Sequence, residues 1–199
     1  MGDLHDKSEP PPLLLASTSR YRRALLERLA LPFEIADPGV DESARAHEPP
    51  DERARRLARA KAEAIAARQP GAWVIGSDQV CAAGAQVLGK PGNAQRCAAQ
   101  LAALSGGTAS FFTACALVRG SSCHEHLDVT RVTFRALSAA DIARYVERDQ
   151  PYDCAGGFKA EGLGIALFAR LESEDPTGLI GLPLIWLAAA LRSAGYRVP

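Results

Sequence analysis

The chain has 199 residues, and its 23 basic and 23 acidic side chains leave a formal charge of zero at neutral pH. Hydrophobic residues make up 47% and charged residues 23%, the composition of a globular chain long enough to bury a proper core. The balanced charge argues against non-specific nucleic-acid binding, which needs a basic surface, and no apolar run approaches the roughly 20 residues of a membrane helix.

Residues 1–10 read as a polar, disordered N-terminal extension that runs into Pro10-Pro11-Pro12. Leu13-Leu14-Leu15 is too short for the apolar core of a secretion signal, and Asp3, Asp6 and Glu9 precede it, so a cytoplasmic location is expected. Pro12 to Ala16 predicts a short buried strand. Ser17-Thr18-Ser19 is an N-cap signal for a helix to about Ala30. Phe33 to Ala36 predicts a second strand, and Glu52 to Arg68 a helix stopped by Pro70-Gly71. Trp73 to Val80 predicts a strand carrying Gly76-Ser77-Asp78, and Asn93 to Leu104 a helix closed by Gly106-Gly107. Thr108 to Val118 and Cys123 to Phe134 predict a hairpin about Gly120-Ser121-Ser122. Ser138 caps a helix to about Asp149, and Ile165 to Leu171 follows a Gly-rich stretch as a strand. The last helix starts near Gly181-Leu182-Pro183, where proline suits the first turn. Alternating strand and helix patterns predict an α/β fold.

The five cysteines, Cys81, Cys97, Cys115, Cys123 and Cys154, are odd in number and widely spaced, which suits reduced thiols better than a disulfide frame or a zinc site. His124 and His126 alternate on a predicted strand and share a face, read as solvated in preference to metal-binding, because no third ligand lies near them in sequence. Arginine supplies 19 of the basic residues and lysine only four: Lys7, Lys61, Lys90 and Lys159. The two differ as phosphate ligands and as buried groups, which draws attention to the lysines.

The run from Ala16 to Arg23 joins strand to helix, where free backbone N–H groups, two hydroxyls and arginines make a phosphate cradle. At 100° per residue, Arg22 shares the apolar stripe with Leu25, Leu26 and Leu29, so it needs an anionic partner, which a phosphate would supply. Lys61 sits angularly among Ala54, Leu57 and Ile65 on the second predicted helix. Two readings stay open: a snorkelling surface lysine or a phosphate ligand in a cleft. Asp78 ends or interrupts an apolar strand, where a carboxylate must be solvated, paired or bound to metal. Strand ends of open α/β sheets commonly face the ligand crevice. Gly89-Lys90-Pro91 adds a lysine on a rigid turn. The set suits a polyphosphate with a divalent metal.

These segments, in order, resemble the Maf family of nucleoside triphosphate pyrophosphatases. The matching residues are Leu15 to Ser19 with Arg22-Arg23, Val40-Asp41-Glu42, Arg59 to Ala62, Gly76 to Val80, Gly89-Lys90-Pro91, Tyr152 to Phe158 with Glu161-Gly162 and Gly164, and Gly178 to Pro183. One departure is Arg20, where many members carry Pro. The resemblance implies a single domain over residues 11–199, with the elongated mixed sheet and two lobes about a central cleft shared by Maf and inosine-triphosphatase-like proteins. It implies hydrolysis of a nucleoside triphosphate to monophosphate and pyrophosphate with a divalent metal, Mg²⁺, Mn²⁺ or Co²⁺. Asp78 would act as general base or metal ligand, and Glu42 would help bind metal. Ser17, Ser19, Arg22, Lys61 and Lys90 would hold the phosphates. The implied partner is a small nucleotide, with no nucleic acid and no membrane; members commonly pair, so a homodimer is implied as well.

Tyr21, Gln79 and Glu161 resemble the branch acting on 7-methyl-GTP; the dTTP/UTP branch typically has Arg, Thr and Gln there. An aromatic face at Tyr21 gains cation–π stacking on the cationic N7-methylated ring, and Glu161 can accept from the guanine N1–H and amino group. That branch often has Trp where Tyr21 stands. Alternatives are a dTTP/UTP pyrophosphatase, a nucleotide-binding regulator of cell division, and a redox protein using Cys81 or Cys154, which unpaired spacing disfavours.

Overall fold

The computed structural model describes residues 10–199, so the extension expected over residues 1–10 lies, apart from Pro10, outside the described residues. The strands are β1 (Leu13–Ala16), β2 (Glu34–Ala36), β3 (Trp73–Ala83), β4 (Gln86–Leu88), β5 (Thr108–Arg119), β6 (Ser122–Phe134) and β7 (Phe168–Glu172). The helices are α1 (Arg20–Glu27), α2 (Pro50–Ala66), α3 (Ala94–Leu104), α4 (Ala139–Asp149) and α5 (Leu184–Ser193). One mixed sheet runs β2-β1-β3-β5-β6-β7, with β4 added beside β3. This is the expected α/β class.

The chain leaves β1 for β2 on one side and returns through α2 to β3 on the other, with all three strands parallel. The order therefore reverses between β1 and β3, and crevices in open sheets form at such a point. The register shows how this one opens. β1 pairs with β3 only over Trp73 to Ile75, and β4 pairs with it only from Cys81 to Ala83. On its other side β3 is paired with β5 continuously from Val74 to Ala82. Residues 76–80 of β3 thus have no strand neighbour on the side shared by β1 and β4. Asp78 lies in the middle of this gap, inside a strand that continues to Ala83 and not at its end.

Side chains alternate across the sheet. Gly76, Asp78 and Val80 face α2, whose buried residues include Ala54, Leu57, Ala58, Lys61 and Ala62. Ser77 and Gln79 face the opposite side, toward the segment 178–181. A Cβ at Gly76 would collide with the Ala58 carbonyl oxygen and would lie 2.6 Å from the Ala62 nitrogen. Glycine there is what lets α2 lie against β3. Two larger apolar clusters flank the gap. One gathers β1, α1 and α5 around Leu15, Leu26 and Leu187; the other gathers α3, α4 and the far end of β5 around Phe111, Phe134 and Leu101.

Several boundaries differ from the sequence reading. α1 stops at Glu27, because Arg28, Leu29 and Ala30 donate three residues back in a tightened last turn and Ala30 adopts φ 53°. Leu163–Leu167 is a 3₁₀ segment and the strand starts only at Phe168; the Gly164 backbone lies against that of Lys159, which holds this stretch off the sheet. His124 and His126 do share a face, but they lie against Trp73 and Trp186, with ring centroids 5.8 and 5.3 Å apart, and His126 is half-buried. α5 begins at Leu184, with Pro183 at the N-cap position and not in the first turn; Pro183 supplies no side-chain cap, and Thr177 Oγ1 accepts from Leu184 N and Asp175 Oδ2 from Ile185 N instead. Among the described residues no helix is long and apolar enough to cross a membrane.

Because the atoms that a Gly76 methyl would meet are mostly helix backbone, Gly76→Ala must push α2 off β3. We expect a loss of at least about 3 kcal/mol of stability, measured by urea unfolding; a variant within about 1 kcal/mol of the parent would show that α2 accommodates the methyl.

Candidate active site

A cavity of about 720 Å³ opens over the gap in β3. Ser17, Ser19, Tyr21, Arg22, Glu42, Lys61, Asp78, Gln79, Lys90 and Glu161 all line it, so every site residue expected from the sequence meets there.

At its centre Lys61 is buried, and its Nζ donates to Asp78 Oδ1 at 2.7 Å and lies 2.7 Å from Glu42 Oε1. Of the two open readings, the structure rejects snorkelling: the ammonium points inward between two carboxylates. A buried ammonium must be paired, and β3 and the loop before α2 each supply one carboxylate. Burial opposes ionisation of Glu42, but the Lys61 hydrogen bond and the charges of Lys61, Arg22 and Lys90 outweigh it and hold the carboxyl below its usual range.

Ser19 is the N-cap of α1, accepting from Arg22 N, and Ser17 Oγ accepts from Ser19 N. Arg22 Nε donates to Gly181 O at 3.0 Å and Nη1 to Ser17 Oγ at 3.4 Å. Its stripe position is therefore explained first by a backbone carbonyl; the guanidinium is held in place at the mouth of the helix. Ser77 Oγ donates to the same Gly181 carbonyl at 2.9 Å. Gln79 Nε2 donates to Thr113 Oγ1, Gly178 O and Leu179 O, at 2.9, 3.0 and 3.0 Å. The amide N–H groups of Gln79 are thus spent on the protein, and Oε1 is the atom left for a ligand. Lys90 is exposed on the turn after β4, where Gln100 Nε2 donates to Gly89 O.

Sequence reasoning missed how Glu42 is held. Arg53 Nη2 donates to Glu42 O, and Arg56 Nη2 to Ser43 O while pairing with Glu48. Arg53 also lines the cavity, and its Nε is buried without a hydrogen-bond partner. The signal was present: Arg53, Leu57 and Lys61 are spaced by four and share a helix face. Asp153 was missed as a site residue too; it meets Arg20 and Tyr21 at the cavity rim. Burial raises the Tyr21 phenol pKa, and the Cys154 thiol hydrogen bond adds to it.

All five cysteines are free, and burial raises Cys81 to about 12 and Cys97 and Cys154 to about 11. The thiolate that redox chemistry needs is thereby disfavoured.

Glu42 and Asp78 suit a divalent metal that arrives with phosphate. Both carboxylates already converge on one cation, the Lys61 ammonium. A hard ion such as Mg²⁺ commonly takes one or two protein carboxylates and completes its shell with phosphate oxygens and water. Among the described residues no group of three or more His, Cys, Asp or Glu side chains could hold a metal ion.

Comparison with known proteins bears on this cavity. The family model described as Maf-like protein matches residues 12–194. The 7-methyl-GTP pyrophosphatase of Xanthomonas axonopodis pv. citri (strain 306) is 54% identical over 189 residues, which is 95% of this chain and 100% of that one. The 7-methyl-GTP pyrophosphatase of Cupriavidus metallidurans (strain ATCC 43123 / DSM 2839 / NBRC 102507 / CH34) is 52% identical over 188 residues, 94% of each chain. Among solved structures, a HAM1 protein from Coxiella burnetii aligns with a TM-score of 0.50 at 17% identity, over 92% of this chain and 98% of that one. The last likeness concerns the fold alone.

The Glu48 carboxyl is held down to about 2 from 4.5, chiefly by its hydrogen bond to Arg56. A depressed folded-state pKa contributes stability that is full above about 4.5 and is lost as pH falls toward about 2. Glu48→Gln should therefore flatten the fall in melting temperature between those two values; an acid limb as steep as the parent's would remove Glu48 from that role.

Proposed function

The chain belongs to the Maf family, and from that membership we propose that it hydrolyses 7-methyl-GTP to 7-methyl-GMP and pyrophosphate. The observation that carries the reading is one cavity over β3 that gathers hydroxyl and cationic groups, an aromatic ring and two further acids around a buried Lys61-Asp78 pair.

The strand gap supports the division of labour. Ser17, Ser19 and Arg22 follow β1, and Lys90 follows β4, so cradle groups stand on both flanks of Asp78. In this reading Ser17, Ser19, Arg22, Lys61 and Lys90 bind the triphosphate, with the unpaired Arg53 Nε as a further donor. Asp78 accepts a proton from the attacking water. The water oxygen bonds to the α-phosphorus, the bridging bond to the β-phosphate breaks, and pyrophosphate leaves with its charge met by the lysines and Arg22. Such catalysis is positioning plus charge neutralisation. Lys61 holds the Asp78 carboxylate in one orientation and Arg53 holds the backbone of Glu42. Glu42 and Asp78 would hold the divalent cation, Mg²⁺, Mn²⁺ or Co²⁺, which when bound neutralises phosphate charge and polarises the phosphoryl group.

The part of the cavity around Tyr21 suits a cationic base. Tyr21 offers a π face, and Glu161 and Asp153 offer negative charge. Gln79 Oε1 can accept from the guanine edge, while its amide N–H groups hold Gly178 and Leu179 as part of the wall.

Asp78→Asn should lower pyrophosphate release from 7-methyl-GTP by at least about 10²-fold with an unchanged melting profile, because Lys61 keeps Glu42 as partner. Activity within tenfold of the parent would take the base role from Asp78. Separately, Glu161→Gln should cut the kcat/KM preference for 7-methyl-GTP over GTP by about tenfold. A preference that does not move would mean Glu161 does not read the base.

A further inference from the structure

Arg20 is the first residue of α1, and its guanidinium carbon lies 4.8 Å from the centroid of the neighbouring Tyr21 ring. Nη2 of Arg20 donates to the Tyr21 hydroxyl at 2.7 Å and pairs with Asp153 Oδ2 at 3.2 Å. The Tyr21 hydroxyl itself donates to Asp153 Oδ2 at 3.2 Å. A planar cation thus rests on an aromatic face with its N–H groups turned to an oxygen and a carboxylate. These are the contacts that a 7-methylguanine ring, also planar, cationic and edged with N–H donors, would make at the same place.

We propose that Arg20 is a specificity-determining residue that competes with the cationic base for Tyr21 and Asp153. The inference rests on the assignment of this end of the cavity to the base. The Arg20 side chain is 70% exposed and that of Asp153 50%, and an exposed pair of this kind holds weakly. A base can therefore displace it. The exchange is not equal for all bases. A cationic ring replaces one positive charge on Tyr21 and Asp153 with another, yet is repelled by the displaced guanidinium. A neutral guanine can leave Arg20 on Asp153 and gains nothing from that carboxylate. Removing Arg20 should then favour the cationic base alone: Tyr21 is uncovered, the repulsion ends, and among the described residues no other cation pairs with Asp153.

The competing assignment for Arg20 is a phosphate ligand like Arg22. It predicts the opposite sign, since loss of a phosphate contact weakens every nucleotide alike. The pair of monophosphates 7-methyl-GMP and GMP separates the two, because they differ at the base and cannot be turned over to pyrophosphate.

The experiment is calorimetric titration of the full chain and of Arg20→Ala, Asp153→Asn and the double variant with each monophosphate in Mg²⁺. Arg20→Ala should bind 7-methyl-GMP about three- to tenfold more tightly, with GMP changed by less than about twofold. Asp153→Asn should erase most of that gain when added to Arg20→Ala. Weaker binding of 7-methyl-GMP by Arg20→Ala, an equal shift for both nucleotides, or no preference for the cationic base in either protein would overturn the proposal. Failure of the hydrolysis reading looks different: the parent releases no pyrophosphate from 7-methyl-GTP, whatever the monophosphate affinities. Arg20 is exposed, so an unchanged melting temperature is expected and distinguishes these outcomes from misfolding.

Discussion

The site depends on how closely α2 lies on β3. Gly76 has no Cβ to hold the helix off, and the Ala58 carbonyl and Ala62 occupy the space that one would take. One turn along α2 and two residues along β3, that approach brings Lys61 and Asp78 into contact at 2.7 Å with both side chains buried. A buried ammonium without a partner would be expelled or neutralised. The packing thus needs the pair, and the pair needs the packing. A residue with any side chain at 76 would move Lys61 before it touched anything chemical.

The second dependence is the gap on β3. Strand neighbours would have covered residues 76–80; β1 stops before them and β4 starts after them. The opposite face of the same five residues is tied down. Ser77 and Gln79 donate to the segment 178–181, and Arg22 donates to the Gly181 carbonyl from the other side. Alternation along one strand therefore divides the work: Asp78 faces the cavity centre, while its two neighbours secure the wall that holds Arg22. Gln79 is thus part of the wall that also holds Arg22, which a reading of Gln79 as a lone base contact misses.

Much of this was legible in the sequence, for local reasons. Ser19, Asn93 and Ser138 cap the helices that follow them through side-chain bonds to nearby backbone, and such bonds depend on three or four consecutive residues. The angular position of Lys61 among Leu57 and Ile65 put it on the apolar face, and the structure decided between the snorkelling and inward readings. What the chain did not disclose are contacts made across it. The partner of Arg22 is a carbonyl 159 positions away, and the donors of Gln79 end on Gly178 and Leu179, about a hundred residues on. The strand gap is a matter of register between β1, β3 and β4, and periodicity within one strand cannot express it. β4 itself, three residues after a Gly84-Ala85 turn, is too short to show alternation.

Charge bears on how such a site would receive a triphosphate. Lys61 meets two carboxylates at once, which leaves one negative charge in excess, and the nearby Arg22 and Lys90 offset it. A metal ion alone would have to displace or share a well-placed ammonium to reach Glu42 and Asp78. Under the proposed function a triphosphate would change that balance, because its oxygens would draw Arg22 and share the Lys61 ammonium, and so free carboxylate oxygens for the metal. The metal and the nucleotide would then favour each other's binding without a dedicated three-ligand cage. That coupling suits an enzyme whose substrate is itself the larger part of the metal's coordination shell. On the same reading phosphate binding is common to all triphosphates, so discrimination would fall to the exposed rim around Tyr21, where groups of the protein could meet the charge of the base.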